Sequence, residues 1–326
     1  MSPARLTICV VGTGSIGLRH LNLLKSSPEL TILAAPRRPG RAAELRAMGI
    51  ETVDPELLGT IAVDAAVIAS DTAHHVSDSL KFASNVHLLL EKPASTDAAS
   101  IAPLRSRGHR SAHVACVLRF NPGLTWVRDR LERIGPIQLA DAECLSWLPS
   151  WRASHDFRTS YSSRPAEGGV LRDLIHEIDY LHWLLGPAVS VNASVWNSGL
   201  LGLSSELDES AVATLRTRDG VRITLRLSFA SRPTSRVLRI WGERGQLTWD
   251  AIQRRSTLLS VDGEILESTS WADSSVMYAD QLASWLQFVR EGQPSQLATL
   301  DDGVAALRVI DAMRVSSLDR KEITVS

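Results

Sequence analysis

Residues 6–20 read LTICVVGTGSIGLRH. An apolar run at 8–11 meets the turn Gly12-Thr13-Gly14-Ser15-Ile16-Gly17, and an amphipathic stretch begins at once. This is strand, tight loop and helix start, with the glycines in the G-x-G-x-x-G pattern. Each glycine has its own task. Gly12 admits the sharp turn, Gly14 lets a pyrophosphate approach the backbone, and Gly17 lets the helix pack close to the strand. The free N–H groups and partial positive charge of the helix N-terminus complete an anion site, to which Thr13, Ser15 and Ile16 also belong. The competing reading is a glycine-rich turn with no ligand. The β-branched strand before the loop, and Leu18, Leu21, Leu23 and Leu24 after it, favour a bound dinucleotide.

The chain has 326 residues, 44% hydrophobic and 22% charged, which suits two globular domains. A net charge of −1 supplies no field to draw it to nucleic acid or to a membrane surface. No apolar run is long enough to span a bilayer, and no leader-like segment opens the sequence. Cys9, Cys116 and Cys144 lie far apart without metal-ligand spacing, which reads as buried free thiols in a reducing cytoplasm.

The composition changes along the chain. All nine tryptophans lie at Trp126 or later, and before Phe120 the only aromatic residue is Phe82. The boundary is therefore set at 121/122, giving a dinucleotide-binding domain of residues 1–121 and a substrate-binding and oligomerisation domain of residues 122–326. Of the 35 basic residues only four are lysines: Lys25, Lys81, Lys92 and Lys321. Lysine can lose its proton in a protein and arginine cannot, so a lysine at a special position stands out.

The second strand is expected at 30–35. NAD enzymes of this type place an acid at its end to hold the ribose 2′-hydroxyl. Here the end reads Ala35-Pro36-Arg37-Arg38, which suits a 2′-phosphate and favours NADP(H) over NAD(H). A helix follows over 41–48. A buried strand over 62–69 delivers Ser70 and Asp71 to the ligand edge of the sheet. His74 and His75 open the next helix. No third ligand has metal spacing, so His75 is assigned to the cofactor and His74 to a polar cap. A strand over 86–90 runs into Glu91-Lys92-Pro93, which puts one of the four lysines on the same edge, and Pro93 admits a cis bond. Another strand is expected over 114–118, before Arg119-Phe120-Asn121-Pro122.

With these motifs the chain resembles the glucose–fructose oxidoreductase / inositol dehydrogenase / MocA family over nearly its whole length. The likeness rests on GTGSIGLRH, EKP, RFNP, GGVLRDLIHEIDYLHWLLG at 168–186, a helix over 278–292, DDG at 301–303 and ALRVIDAM at 306–313. The resemblance implies a Rossmann doubly wound parallel sheet. A C-terminal α/β domain would follow, whose open, mostly antiparallel sheet often forms a homodimer or homotetramer interface. It further implies NAD(P)-dependent hydride transfer at a hydroxyl or keto carbon of a sugar, sugar nucleotide or cyclitol. Lys92 matches the family lysine that orients the reacting oxygen, with Glu91 beside it. His176 and Asp179 keep the family's His-x-x-Asp spacing. Asp173 lies three residues before His176 where the family has four, and Glu167 replaces the first glycine of its triplet. Residues 147–152, Tyr161-Ser162 and HEIDY look like a subgroup associated with surface-polysaccharide sugars.

Read without the family, Leu171, Leu174, Ile175, Ile178, Leu181 and Leu185 mark one buried face of a helix over 169–185. Asp173, His176 and Tyr180 then share another face. Asp173 and Asp179 flank His176, the group expected to move the proton, while Lys92 holds the same oxygen. Gly186-Pro187 ends the helix. Strands are expected at 137–144, 189–196, 211–216, 222–228, 237–241 and 246–249, with a hairpin at Asp219-Gly220.

Arg152, Arg158, Arg164 and Arg172 offer an anion site or a solvated loop. Trp147, Trp151 and Tyr161 offer a stacking surface or core packing. From these, Arg164 and Trp151 join Arg119, Lys92, Asp173 and His176 as candidate substrate contacts. A short-chain dehydrogenase would need Tyr-x-x-x-Lys, and no tyrosine here has that lysine. The remaining alternative is a non-catalytic NAD(P)-binding sensor on the same fold.

Overall fold

A computed structural model describes residues 5–151, 156–272, 275–293 and 295–325. The chain forms two compact units, Met1–Cys116 with Tyr278–Val304, and Val117–Met277 with Ala305–Ser326.

The first unit alternates strand and helix: β1 (Leu6–Val11), α1 (Ser15–Leu24), β2 (Leu30–Ala35), α2 (Arg41–Ala47), β3 (Glu51–Thr52), β4 (Ala65–Ile68), α3 (His75–Lys81), β5 (His87–Leu90), α4 (Ala102–Arg107) and β6 (Ser111–Val114). These strands pair in parallel in the order β6-β5-β4-β1-β2-β3. Residues 8–11, 65–68 and 87–90 are buried at every position, as strands covered on both faces require. The order reverses between β1 and β4, where doubly wound sheets open a ligand crevice. The strand expected over 114–118 instead ends at Val114. The Cys116 N–H turns back to the Val114 carbonyl at 2.8 Å, and Val117–Phe120 wind into a 3₁₀ turn.

The second unit holds α5 (Pro122–Arg128), β7 (Ile137–Trp147), α6 (Val170–Asp173), α7 (Ile175–Leu185), β8 (Ala188–Trp196), β9 (Ser210–Thr217), β10 (Arg222–Ser228), β11 (Ala230–Gly242), β12 (Gly245–Asp250), β13 (Arg255–Leu259) and β14 (Ile265–Ser270). Farther along come α8 (Val276–Glu291), β15 (Ala298–Thr299), α9 (Leu300–Asp319) and β16 (Ile323–Thr324). The nine-stranded sheet runs β14-β13-β12-β11-β7-β10-β9-β8-β16. Among the described residues, β7/β10 is its one parallel pair and the others are antiparallel. Along β7, Ala140, Ala142, Cys144 and Ser146 are buried, while Leu139, Asp141, Glu143, Leu145 and Trp147 point to the other face. On that outer face Arg226 reaches Asp141 at 2.9 Å and Glu143 at 2.8 Å, beside exposed Leu139 and Val212.

Asn121 caps α5 by accepting from the Gly123 and Leu124 N–H groups, and Pro122 occupies the position that needs no donor. The Trp249 indole N–H donates to the same Asn121 oxygen at 3.0 Å. A Cβ at Gly123 would overlap the Trp249 and Trp271 rings, which explains the glycine after RFNP.

The boundary expected at 121/122 needs correction. The first unit ends at Cys116 and takes back Tyr278–Val304. The reason is packing: β15 pairs antiparallel with β6 through Ala298↔Val114 and Thr299↔His113. Phe288 sets its ring edge-on to His113 with centroids 4.6 Å apart, and Arg290 pairs with Glu29 at 2.9 Å.

Candidate active site

In the first unit the glycine loop sits at the carboxyl end of β1. Gly12 has φ +82°, and a Cβ there would overlap the Ser70 amide and the Ala69 carbonyl. A Cβ at Gly17 would overlap the Gly12 carbonyl. Both glycines are thus required by the fold. Gly14 differs: a Cβ there would meet no atom within 4 Å. Among the described residues no side chain caps α1, and its first turn carries no acid, so its leading N–H groups are left for an anion. At the end of β4 the Ser70 hydroxyl is buried without a partner among the described residues. Open space at Gly14, an uncapped helix start and an orphaned hydroxyl fit a dinucleotide.

The two motifs quoted from the sequence are joined. His20, from GLRH, is 1% exposed and lies 2.8 Å from Glu91 Oε1, from EKP. Glu91 Oε2 accepts the Lys92 backbone N–H at 3.3 Å. The Glu91 side chain therefore fixes the turn that presents Lys92. Lys92–Pro93 is a cis bond. His75, assigned to the cofactor, acts indirectly. It is buried, with Nδ1 2.9 Å from the Pro93 carbonyl and Nε2 2.9 Å from the Ser70 carbonyl, so it ties the ends of β4 and β5 together. Burial pushes its pKa down, against the two carbonyls and the Glu91 and Asp78 charges, which push it up. At the end of β2, Arg37 pairs with the buried Asp78, while Arg38 is exposed. Asp71 starts the turn over Thr72–His74, and exposed His74 offers its carbonyl to Ser77.

In the second unit the helix expected over 169–185 is broken. Leu174, at φ −96° and ψ 23°, separates α6 from α7. Asp173, His176 and Tyr180 therefore do not line one continuous helical face. Tyr180 is fully buried, packed edge-on against Trp249 with ring centroids 5.6 Å apart. From residue 168 to 181 every residue is buried except His176. Asp173 is 3% exposed.

Asp179, expected to flank His176, holds Arg119. Arg119 Nη2 donates to Oδ1 at 2.7 Å, and Nε donates to Oδ1 and Oδ2 at 3.2 and 3.1 Å. Arg119, assigned to substrate, is thus a buried strut that binds the RFNP turn to α7. Glu177, fully buried, pairs with Arg236 of β11 at 2.6 Å and anchors the same helix to the sheet. That carboxylate raises the Arg236 pKa, against the opposing pull of burial.

The arginine group is not one anion site. Arg172 is buried and donates to the Pro165 and Gly168 carbonyls at 3.0 and 3.2 Å. Arg164 pairs with Glu167 at 3.3 Å, Arg158 lies over the Phe157 ring, and Arg152 falls outside the described residues. Trp147 stacks under Arg232, with the guanidinium 3.9 Å from the ring centroid. Trp151 is 41% exposed and touches Phe229 edge-on.

Comparison with known proteins decides the family. The model described as "Oxidoreductase family, NAD-binding Rossmann fold" matches residues 6–111, and the "GFO/IDH/MocA C-terminal domain" matches residues 126–248. The chain belongs to the Gfo/Idh/MocA family. Inositol 2-dehydrogenase 2 of Paenarthrobacter aurescens (strain TC1) is 26% identical over 94% of this chain and 95% of its own length. A solved myo-inositol 2-dehydrogenase from Lactobacillus plantarum shares 21% identity and a TM-score of 0.80, with 100% of each chain covered. A levoglucosan dehydrogenase in complex with NADH shares 18% identity and a TM-score of 0.84, over 98% of this chain and 99% of that one. These structures share the fold. As a Gfo/Idh/MocA oxidoreductase, the chain carries its glycine loop and Lys92 inside the NAD-binding match, and His176 and Asp179 inside the C-terminal match.

Two residues that the sequence reading passed over take structural parts here. His20 lay within a quoted motif and could have been suspected as a histidine just inside a cofactor helix. Arg236 lies in a β-strand of ordinary composition and gave no signal.

Proposed function

We propose that the chain is an NAD(P)-dependent dehydrogenase acting on a secondary hydroxyl of a sugar, sugar nucleotide or cyclitol, or on the corresponding ketone. The nicotinamide, when bound, supplies or accepts the hydride. The chain's own residues place the substrate and handle its proton. His176 accepts the hydroxyl proton on a ring nitrogen, and Lys92 Nζ donates a hydrogen bond to the same oxygen as negative charge develops on it. The observation that carries this reading is that His176 alone stays partly exposed in a run of buried residues. A purely structural histidine in that run would be expected to share its neighbours' burial. The relatives named as inositol dehydrogenases, and the levoglucosan dehydrogenase solved with NADH and levoglucosan, favour a polyhydroxylated ring as substrate. Asp173, Trp151 and Arg164 are assigned to the substrate.

NADP(H) is the favoured cofactor. Because Arg37 is paired with Asp78, exposed Arg38 is the residue assigned to the 2′-phosphate. Ser70 and Asp71 complete the cofactor edge. The outer face of the nine-stranded sheet, with Leu139 and Val212 exposed, serves as a homo-oligomer interface. Burial pushes the Cys9 and Cys144 thiols up to about 12, which suits reduced cysteines in a cytoplasmic enzyme.

The test is NAD+ and NADP+ reduction against myo-inositol, levoglucosan, free monosaccharides and nucleotide sugars. Lys92→Ala and His176→Ala are each expected to lower kcat/KM about 10²- to 10⁴-fold. Turnover within a few fold of the parent in both variants overturns the assignment. Tight NADPH binding with no turnover of any compound would point instead to a nucleotide sensor.

A further inference from the structure

We propose that Asp208 is a positioning residue that sets His176, an inference that rests on the role given to His176 above. Asp208 lies in the connection between β8 and β9, far in sequence from the helix it serves. Its backbone carbonyl accepts the Val170 N–H at 2.8 Å, and its Oδ2 accepts the Leu171 N–H at 2.9 Å. One residue thus receives the first two N–H groups of α6. Gly169, just before, stands at φ +94°, and a Cβ there would overlap the Asp208 carboxylate. The glycine is therefore required by the presence of Asp208 as well as by its own backbone angle. Arg314 of α9 holds the other carboxylate oxygen at 3.5 Å. On the far side of the glycine pair, a Cβ at Gly168 would overlap the Tyr161 and Ser162 carbonyls, so the chain cannot slide that way.

A four-residue helix cannot hold itself, because one turn costs more backbone freedom than its few hydrogen bonds return. The place where α6 starts is set from outside, by Asp208. From that start the chain reaches buried Asp173, the break at Leu174 and then His176, six residues beyond Val170. Every residue from Val170 to Ile175 is buried, so a displacement of α6 at Asp208 is carried along that backbone to His176 in the first turn of α7. Misplacing a reacting group by about 1 Å can cost on the order of 10²-fold in rate.

The experiment compares Asp208→Asn, which keeps an oxygen facing the Leu171 N–H, with Asp208→Ala, which does not. The readouts are the His176 imidazole resonances and their titration in histidine-labelled protein, assigned by their loss in His176→Ala. Kinetics with myo-inositol and NADP+, or with NAD+ if that is the faster, accompany them. Asp208→Ala is expected to move the His176 resonances and lower kcat about 10- to 100-fold, with the cofactor KM unchanged. Asp208→Asn is expected to stay within a few fold of the parent on every readout. Parent-like His176 resonances in Asp208→Ala, or equal damage in both variants, overturn the proposal. Should Asp208→Ala not fold, Asp208→Glu takes its place. It keeps the charge but displaces the acceptor, and an unmoved His176 titration there overturns the proposal equally. Full turnover in His176→Ala would sink the functional reading by itself, whereas unmoved His176 resonances sink the positioning.

Discussion

Replacing Arg119 with methionine separates a strut from a substrate ligand. Arg119 and Asp179 are 5% and 1% exposed at their side chains and share three hydrogen bonds of 2.7 to 3.2 Å. Arg119→Met keeps most of the volume but strands the Asp179 carboxylate in the interior. Breaking such a pair from one side costs about 3–5 kcal/mol, because an uncompensated charge is left behind. Removing both partners in Arg119→Met/Asp179→Leu leaves no buried charge and should cost far less, about 1 kcal/mol. The cycle then yields a coupling of at least about 2 kcal/mol. Tryptophan fluorescence during urea unfolding is the natural assay. Of the nine tryptophans only Trp285 lies in Tyr278–Val304, so the signal reports chiefly on the second unit, where the pair sits. A single variant within about 1 kcal/mol of the parent, with a raised substrate KM, would refute the strut and return Arg119 to the substrate.

The glycine loop offers a contrast between two like substitutions. Gly12→Ala should prevent folding of the first unit or cost several kcal/mol on the order expected for backbone overlap at positive φ, whereas Gly14→Ala should fold normally and weaken NADPH binding by about tenfold or more, as calorimetry would register. Arg38→Ala should raise the NADPH dissociation constant about tenfold or more and leave that for NADH unchanged; equal effects on both would remove Arg38 from the 2′-phosphate. Burial, aided by neighbouring His87, pushes His113 down from 6.5 to about 4. The folded state therefore favours the neutral ring. The stability this contributes is complete above about pH 6.5 and is lost as the pH falls from there through about 4, to a total on the order of 3 kcal/mol. Hydrogen exchange over β5 and β6 should accelerate across that window in the parent and much less in His113→Leu; the same acceleration in both would exonerate the histidine.

What was legible in the sequence is what is determined locally. The glycine loop could be read because Gly12 and Gly17 answer to backbone geometry within one βα unit, and Gly14 to a ligand. β1, β2, β4 and β5 could be read because a largely buried parallel strand forces an apolar run, whereas β6, which reads SAHV, was expected at 114–118. β13 and β14 could not. They carry Arg255, Glu267 and several serines and threonines, with few apolar positions to show alternation. β15 is two residues long and is defined by its pairing with β6, so no pattern could announce it or the return of Tyr278–Val304 to the first unit.

The helix break at Leu174 shows the same limit inside the site. The run VLRDLIHEI contains neither glycine nor proline, and its apolar spacing describes one uninterrupted helix. The break follows from the anchors. Asp208 fixes the start of α6, while Arg119 and Arg236 fix α7 through Asp179 and Glu177. These partners come from residues 37 to 60 positions away along the chain. Between these anchors Leu174 takes the non-helical angles that join α6 to α7. Of the two acids expected to flank His176, Asp173 is buried at the end of α6 and Asp179 holds Arg119. Asp179, together with Glu177 on Arg236, sets the position of the helix. His176 is left as the residue of that stretch that keeps access to solvent, and the chemistry is assigned to it on that ground.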